Sequence, residues 1–367
     1  MKTCNPANER IKRAYYAYLK EAKRNSEQTV DAAAKALSRF ETYTKFKDFR
    51  AFRIEQAVGF KAHLAQQLNG RTKEPLSKAT MFQTLAALRA FFFWLAGLPG
   101  FRSRISYSDA DYFNLSAKET AIARADRDVG GPTLEQVRHV LSVMPNRTDI
   151  EKRNRALIAF TILTGARDNA VASFRLKHID LTDGKVVQDA RDVRTKASKT
   201  FTTYFFPVGD DIRQIVEDWV QFLRRDRFWG PDDPLFPATK VVVGAKQHFE
   251  AVGLDRKGWS NAAPIRAIFK DAFGPAGLPY FNPHSFRNTL ARLGQSICRS
   301  PEEMKAWSQN MGHEKVLTTL LAYGQVETPR QQEIMQKLWE PKVGPADPME
   351  ALARRVAELV RSEPGAR

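Results

Sequence analysis

No regular element passes through Gly130-Gly131-Pro132. The stretch "ETAIARADRDVGGPT" (119–133) is charged and then turns to two glycines and a proline, a composition that suits an exposed linker. A single core spanning it would have to cross backbone that is neither helix nor strand. A chain of 367 residues also exceeds what one ordinary core needs, so two domains are expected. We place the first at 1–124, a linker at 125–132, the second domain at 133–340, and a hinge with a terminal helix at 341–367.

The first region is patterned for helices. "ERIKRAYYAYLKEAKR" (9–24) is one. "SEQTVDAAAKALSRFETYT" is the next, with Val30, Ala34, Leu37 and Phe40 at helical spacing and Ser26 as its N-cap. A third covers about 53–68. The clearest is "SKATMFQTLAALRAFFFWLAGL", capped by Ser77, with Met81, Leu85, Leu88, Phe92 and Leu95 on one apolar stripe. Lys78, Thr80, Gln83 and Arg89 fall largely off that stripe and face solvent or a nucleic-acid groove.

Beyond the linker, Thr133 and Gln136 form a capping box. "TLEQVRHVLSVM" and "IEKRNRALIAFTILTG" follow as helices. The period then changes. "KVVQDA" and "TFTTYFFPV" are rich in Val, Thr, Phe and Tyr and read as strands, with "RTKASKT" at the turn between them. Helices are expected to resume near Gly209 and to continue through Leu338. The fold class is therefore mainly α with a small antiparallel β-sheet. After the hinge "PKVGPADP", "MEALARRVAELVR" sets Leu352, Val356 and Leu359 on one face, which docks on its own domain or on a neighbouring protomer.

Lys plus Arg is 58 and Asp plus Glu is 41, a net charge of +17. That excess attracts polyanions by counterion release. It also suits a basic soluble protein or a membrane surface. No apolar run approaches the roughly 18 residues a span needs, and "FFFWLAGL" is far too short. The first residues carry no apolar leader core, so no leader and no membrane are expected. Cys4 and Cys298 make neither a disulfide framework nor a metal cluster, which points to a reducing, cytoplasmic setting.

Several polar groups carry chemistry. Arg167 follows an apolar helix and a breaking glycine, in "TGAR", where a guanidinium beside free N–H groups suits a phosphate. His284 and Arg287 in "PHSFR" are three apart and share a face, after Pro283, which presets the first helical turn. In "MGHEKVLTTLLAYG", Gly312 ends one helix, His313 opens the next turn and Tyr323 follows ten residues later. Each has an ordinary alternative. Arg167 alone suits a surface ion pair, His284 and Arg287 a polar helix start, His313 a loop histidine, and Tyr323 a core tyrosine with a satisfied hydroxyl.

In this order, "TGAR", "HSFR" and "MGH…AY" resemble the active-site boxes of the tyrosine recombinase (phage integrase) family. The resemblance covers about 133–340. It extends in outline to the N-terminal helices, which look like that family's core-binding domain. It implies a catalytic set of Arg167, Lys196, His284, Arg287, His313 and Tyr323. The lysine belongs in the hairpin turn, where Lys196 aligns better than Lys199. Two positions depart from the pattern. Ala170 stands where an acidic residue is common, leaving Asp168 as a substitute. The His313–Tyr323 spacing is one residue longer than in many members.

The resemblance implies DNA cleavage and rejoining through a 3′-phosphotyrosyl bond made by Tyr323 and a Holliday junction, on double-stranded DNA. It further implies a homotetramer on two sites, with no metal, cofactor or ATP. A nucleoid-associated cytoplasmic protein follows. Lys78, Thr80 and Arg89 are expected to touch DNA. A type IB topoisomerase would use similar groups as a monomer, and a regulator that no longer cleaves would keep only the binding. A metal-dependent nuclease would need a ligand cluster that the sequence lacks.

Overall fold

The computed structural model describes residues 4–70, 72–125, 130–244, 247–313 and Met335. The chain divides after Ala125 into two compact units.

The first unit holds α1 (Pro6–Ala17), extended by a π-helical turn to Ala22, α2 (Glu27–Tyr43), α3 (Ile54–Gln66), α4 (Lys78–Ala96) and α5 (Ala117–Arg124). Local chemistry starts these helices. Ser26 accepts from the Thr29 N–H and Ser77 from the Thr80 N–H, each satisfying an otherwise orphaned first-turn donor. The core is built of rings. Phe40 meets Phe60, Phe92 and Phe113 edge-on, with centroids 5.2, 5.4 and 5.5 Å away, the electrostatically preferred aromatic geometry. Phe92 stacks on Phe113 at 4.8 Å. One buried charge is neutralised rather than stranded: Glu41 accepts from Lys12 at 2.6 Å and from Asn8 at 3.0 Å, which fastens α1 to α2.

α4 corrects one expectation. At 19 residues it is long and apolar enough, by length and composition, to cross a membrane. Its stripe of Met81, Leu85, Leu88, Phe92 and Leu95 is buried in the core of the unit. Lys78 and Arg89 interrupt the apolar run in sequence, and neither is among the buried residues of the helix.

The second unit opens with α6 (Leu134–Val143), started by the Thr133–Gln136 capping box, and α7 (Asp149–Thr164). From Ala156 to Thr164 every residue of α7 is buried. A helix apolar all round belongs in the middle of a core, and α7 occupies that place. Gly165 ends it at φ +60°, a left-handed turn that glycine takes without steric cost. A one-turn helix, α8 (Asp168–Val171), follows. Next comes an antiparallel sheet in the order β1 (Ile179–Asp180), β2 (Lys185–Gln188), β3 (Phe201–Tyr204), with Gln188 opposite Phe201 and Lys185 opposite Tyr204. A 3-10 turn at Lys196–Ser198 lies in the β2–β3 connection.

α9 (Asp210–Gln221) then leads to a second correction. The region after Gly209 is not helical throughout. β4 (Thr239–Val243) and β5 (Phe249–Leu254) form a separate antiparallel hairpin with a bulge at Lys240/Val241. Its residues are largely exposed, Phe249 by 82%. With neither face buried, the strands carry no polar–apolar alternation to read. α10 (Ala263–Phe273), α11 (Ser285–Ile297) and α12 (Pro301–Asn310) complete the described unit. Pro283 lies two residues before α11, whose N-cap is His284.

Candidate active site

Arg287 is the centre of the site. It sits in the first turn of α11 and is only 5% exposed. A buried guanidinium needs acceptors for its fork. Nη1 donates to the Gly165 carbonyl at 2.5 Å. Nη2 donates to the Met311 carbonyl at 2.6 Å and lies 2.7 Å from His313 Nε2. Three chain segments, at 165, 287 and 311–313, thus converge on one side chain. The left-handed turn of Gly165 has a second use. A Cβ there would stand 2.9 Å from the Leu290 Cδ1 methyl of α11, which would have to turn aside.

Arg167 is half-buried and forms the N-cap of α8. Burial pulls its pKa below the ordinary value. Burial and then the Arg167 charge do the same to Arg287. A charge that depresses another lies close to it, and two such like charges make a strong anion site when nothing else neutralises them. α8 is one turn long, so the helix terminus adds little and the guanidinium carries the phosphate-binding capacity.

Burial is the first cause that lowers the His284 pKa, followed by the charges of Arg287 and Arg167; Lys196 adds to them and Asp168 opposes. The residue is nonetheless exposed to solvent. His313 is pushed down to about 4, by burial first and then by Arg287, Arg167, His284 and Lys196. Both histidines are therefore neutral at pH 7. Arg287, Arg167, His284 and Lys196 thus all lie near enough to His313 to act on it. Lys196 is exposed, on the 3-10 turn between β2 and β3.

Asp168 does not take the place of an acid at position 170. Its Oδ2 accepts from Arg266 Nε at 2.8 Å and Nη2 at 2.7 Å, which ties the Arg167 turn to α10. Ala170 is 1% exposed, and a carboxylate there would be buried without a partner. Main-chain carbonyls do the supporting instead. Gly165 and Met311 could not be assigned this role from sequence, because their bonds to Arg287 span 122 and 24 residues. The only local signals were the glycine before Arg167 and the one before His313.

Tyr323 lies outside the described residues, as do the hinge, the terminal helix at 349–361 and linker positions 126–129. Lys78, Thr80 and Arg89 belong to the first unit. Lys78 pairs with Glu119 at 2.6 Å and Arg89 with Asp111 at 2.6 Å; the Thr80 hydroxyl lies 2.9 Å from that of Ser77. Among the described residues there is no cluster of three or more His, Cys, Asp or Glu able to hold a metal ion.

A helical unit followed by a mixed unit whose buried arginine binds two other boxes defines a class. The sequence profile of the phage integrase family matches 133–329, more than half of the chain, and that of the phage integrase N-terminal SAM-like domain matches 13–97. The chain belongs to the phage integrase family. It is 26% identical over 259 residues to the tyrosine recombinase XerC of Xanthomonas axonopodis pv. citri (strain 306), covering 70% of this chain and 71% of that one. The fold is similar to XerH site-specific recombinase bound to a palindromic difH substrate (TM-score 0.59, 15% identity, 89% of this chain and 84% of that chain). It is also similar to a lambda integrase dimer bound to a COC′ core site (TM-score 0.58, 11% identity, 87% and 96%).

Proposed function

We propose that this chain is a site-specific DNA recombinase that cleaves and rejoins strands through a phosphotyrosyl link to Tyr323. The observation that carries the reading is the convergence of Arg167, Lys196, His284 and Arg287 upon His313.

The scissile phosphate binds between Arg167 and Arg287. Tyr323 Oη attacks phosphorus, and the P–O5′ bond breaks as the new P–O bond forms. The covalent link conserves the phosphodiester energy, so the reverse attack by a 5′-hydroxyl needs no ATP. A tyrosine has an ordinary pKa of about 10 and must lose its proton on the way. His313 is not the acceptor at Nε2. Arginine can only donate, so that nitrogen already accepts from Arg287 and the ring carries its proton on Nδ1. His284, neutral and exposed, takes the phenolic proton. Lys196 gives a proton to O5′; its charge reaches both histidines. Charge growing on the non-bridging oxygens meets two fixed guanidiniums, each worth roughly 3 kcal/mol in the transition state. They supply the stabilisation that metal ions give elsewhere.

Double-stranded DNA is the partner, held by both units. In the first unit Lys78 and Arg89 exchange Glu119 and Asp111 for phosphates. Two duplex sites are joined by four copies through a Holliday junction, and the segment 349–361 reaches a neighbouring copy. The test is a nicked suicide duplex incubated in EDTA. A covalent protein–DNA band is expected for the native chain and absent for Tyr323→Phe, with DNA affinity kept. A band that persists in Tyr323→Phe, or that requires added metal, refutes the reading.

A further inference from the structure

The end of α12 and the residues just after it face two ways. On one side, Met311 and His313 meet Arg287. On the other, Asn310 grips the free edge of β3. Its Oδ1 accepts from the Tyr204 N–H at 2.7 Å, and its Nδ2 donates to the Tyr204 carbonyl at 2.9 Å. The Asn310 carbonyl accepts from the Thr203 hydroxyl at 3.0 Å, and that hydroxyl accepts from Gln188 of β2 at 3.1 Å. Two residues on, Gly312 at φ +70° lies flat on the Phe201 ring; a Cβ there would stand 2.6 Å from it. Residues 310–312 therefore clasp β3 along its length, from Phe201 to Tyr204.

The amide of asparagine is suited to this edge. Tyr204 opposes Lys185 in the ladder, yet its N–H and C=O point outward, away from β2. An edge strand presents such groups in pairs, and a primary amide offers one donor and one acceptor at peptide spacing. Aspartate would set a carboxylate oxygen against the Tyr204 carbonyl. Alanine would leave both groups to water.

We propose that Asn310 is a positioning residue for proton donation to O5′. It locks the hairpin that carries Lys196 to the segment that carries His313, so that proton donor and phosphate clamp keep one register. The proposal rests on the reading of Lys196 as the proton donor. Lys196 stands exposed in the 189–200 connection, whose tie at Arg194 runs to Ser173, Trp259 and Ser260 and not to the segment of His313, and a misplacement of about 1 Å costs rate heavily.

The experiment compares single-turnover cleavage of two suicide duplexes, one with the natural O5′ at the scissile phosphate and one with a bridging sulfur. In the first, the P–O5′ bond breaks and O5′ receives the lysine proton. In the second, the P–S bond breaks and a thiolate leaves unaided, since a thiol has a pKa of about 8.5. Asn310→Ala should slow the oxygen substrate by roughly 10–100-fold and stay within about 3-fold of the native chain on sulfur. Thr203→Val, which cuts the tie from the strand side, should show the same pattern at smaller size, so the result does not hang on one variant. DNA affinity should be unchanged in both. Equal losses on the two substrates, or no loss on oxygen, overturn the positioning role. Lys196→Ala is the reference. If sulfur does not rescue it, or if the native chain forms no adduct, the underlying reading fails, and the proposal with it.

Discussion

Arg287 Nη2 and His313 Nε2 stand 2.7 Å apart. The contact sets a tautomer. Because the guanidinium has no lone pair to offer, the imidazole accepts at Nε2 and carries its proton on Nδ1. A residue of α11 thereby decides which proton a residue after α12 can present.

Arg287→Lys tests the fork itself. A lysine keeps the charge but has one nitrogen, which cannot serve Gly165, Met311 and His313 together. Covalent adduct formation should fall by about 100-fold or more. The carbonyls left buried should also cost roughly 2–4 kcal/mol in urea unfolding. A variant that unfolds at the native midpoint would show that the three bonds contribute no net stability.

Acid should weaken the fold through the histidines. The folded pKa of His313 is pushed down to about 4, and that of His284 is lowered too. Between about pH 6.5, the unfolded value, and pH 4, the unfolded chain binds more protons than the folded one. Their contribution is complete above 6.5, declines as pH falls and levels off near 4. The melting temperature of His313→Asn should drop less between pH 7 and pH 5 than that of the native chain. Parallel slopes would place the His313 pKa at its ordinary value.

The two turn lysines should separate cleanly. Lys196→Ala is expected to slow cleavage by about 100-fold or more, in the range of a general acid. Lys199→Ala should remain within a few-fold. Single-turnover rates on the suicide duplex decide, and a reversed order would move the donor role to Lys199.

Gly312→Ala should cost about 1–3 kcal/mol, since a Cβ is strained at φ +70° and collides with Phe201. Phe201→Leu should recover part of that loss in the double variant by relieving the collision but not the backbone strain. Chemical denaturation of the four chains gives the coupling.

What was legible in the sequence was local. Ser77, and Thr133 with Gln136, mark helix starts because a cap and its first turn lie within four residues, and the structure places all three as caps. The boxes put Arg167, His284, Arg287 and His313 forward, and the structure brings them near one another. What the boxes could not give was the support around them. Arg287 reaches a carbonyl 122 residues away, and Asp168 turns to an arginine 98 residues on. The β4–β5 hairpin escaped for the opposite reason. "TKVVV" has the β-branched residues of a strand, but its exposed faces impose no alternation.

The ring cluster of the first unit bears on how the chain is made. α4 holds the most apolar stretch, and Phe92 finds its stacking partner, Phe113, only seventeen positions after the helix ends. During translation there is an interval in which α4 has left the ribosome while that partner is still inside the exit tunnel. For those seconds a membrane-like helix has part of its greasy side uncovered. Slow codons between 97 and 113 would lengthen the interval, and chaperone demand should rise with it.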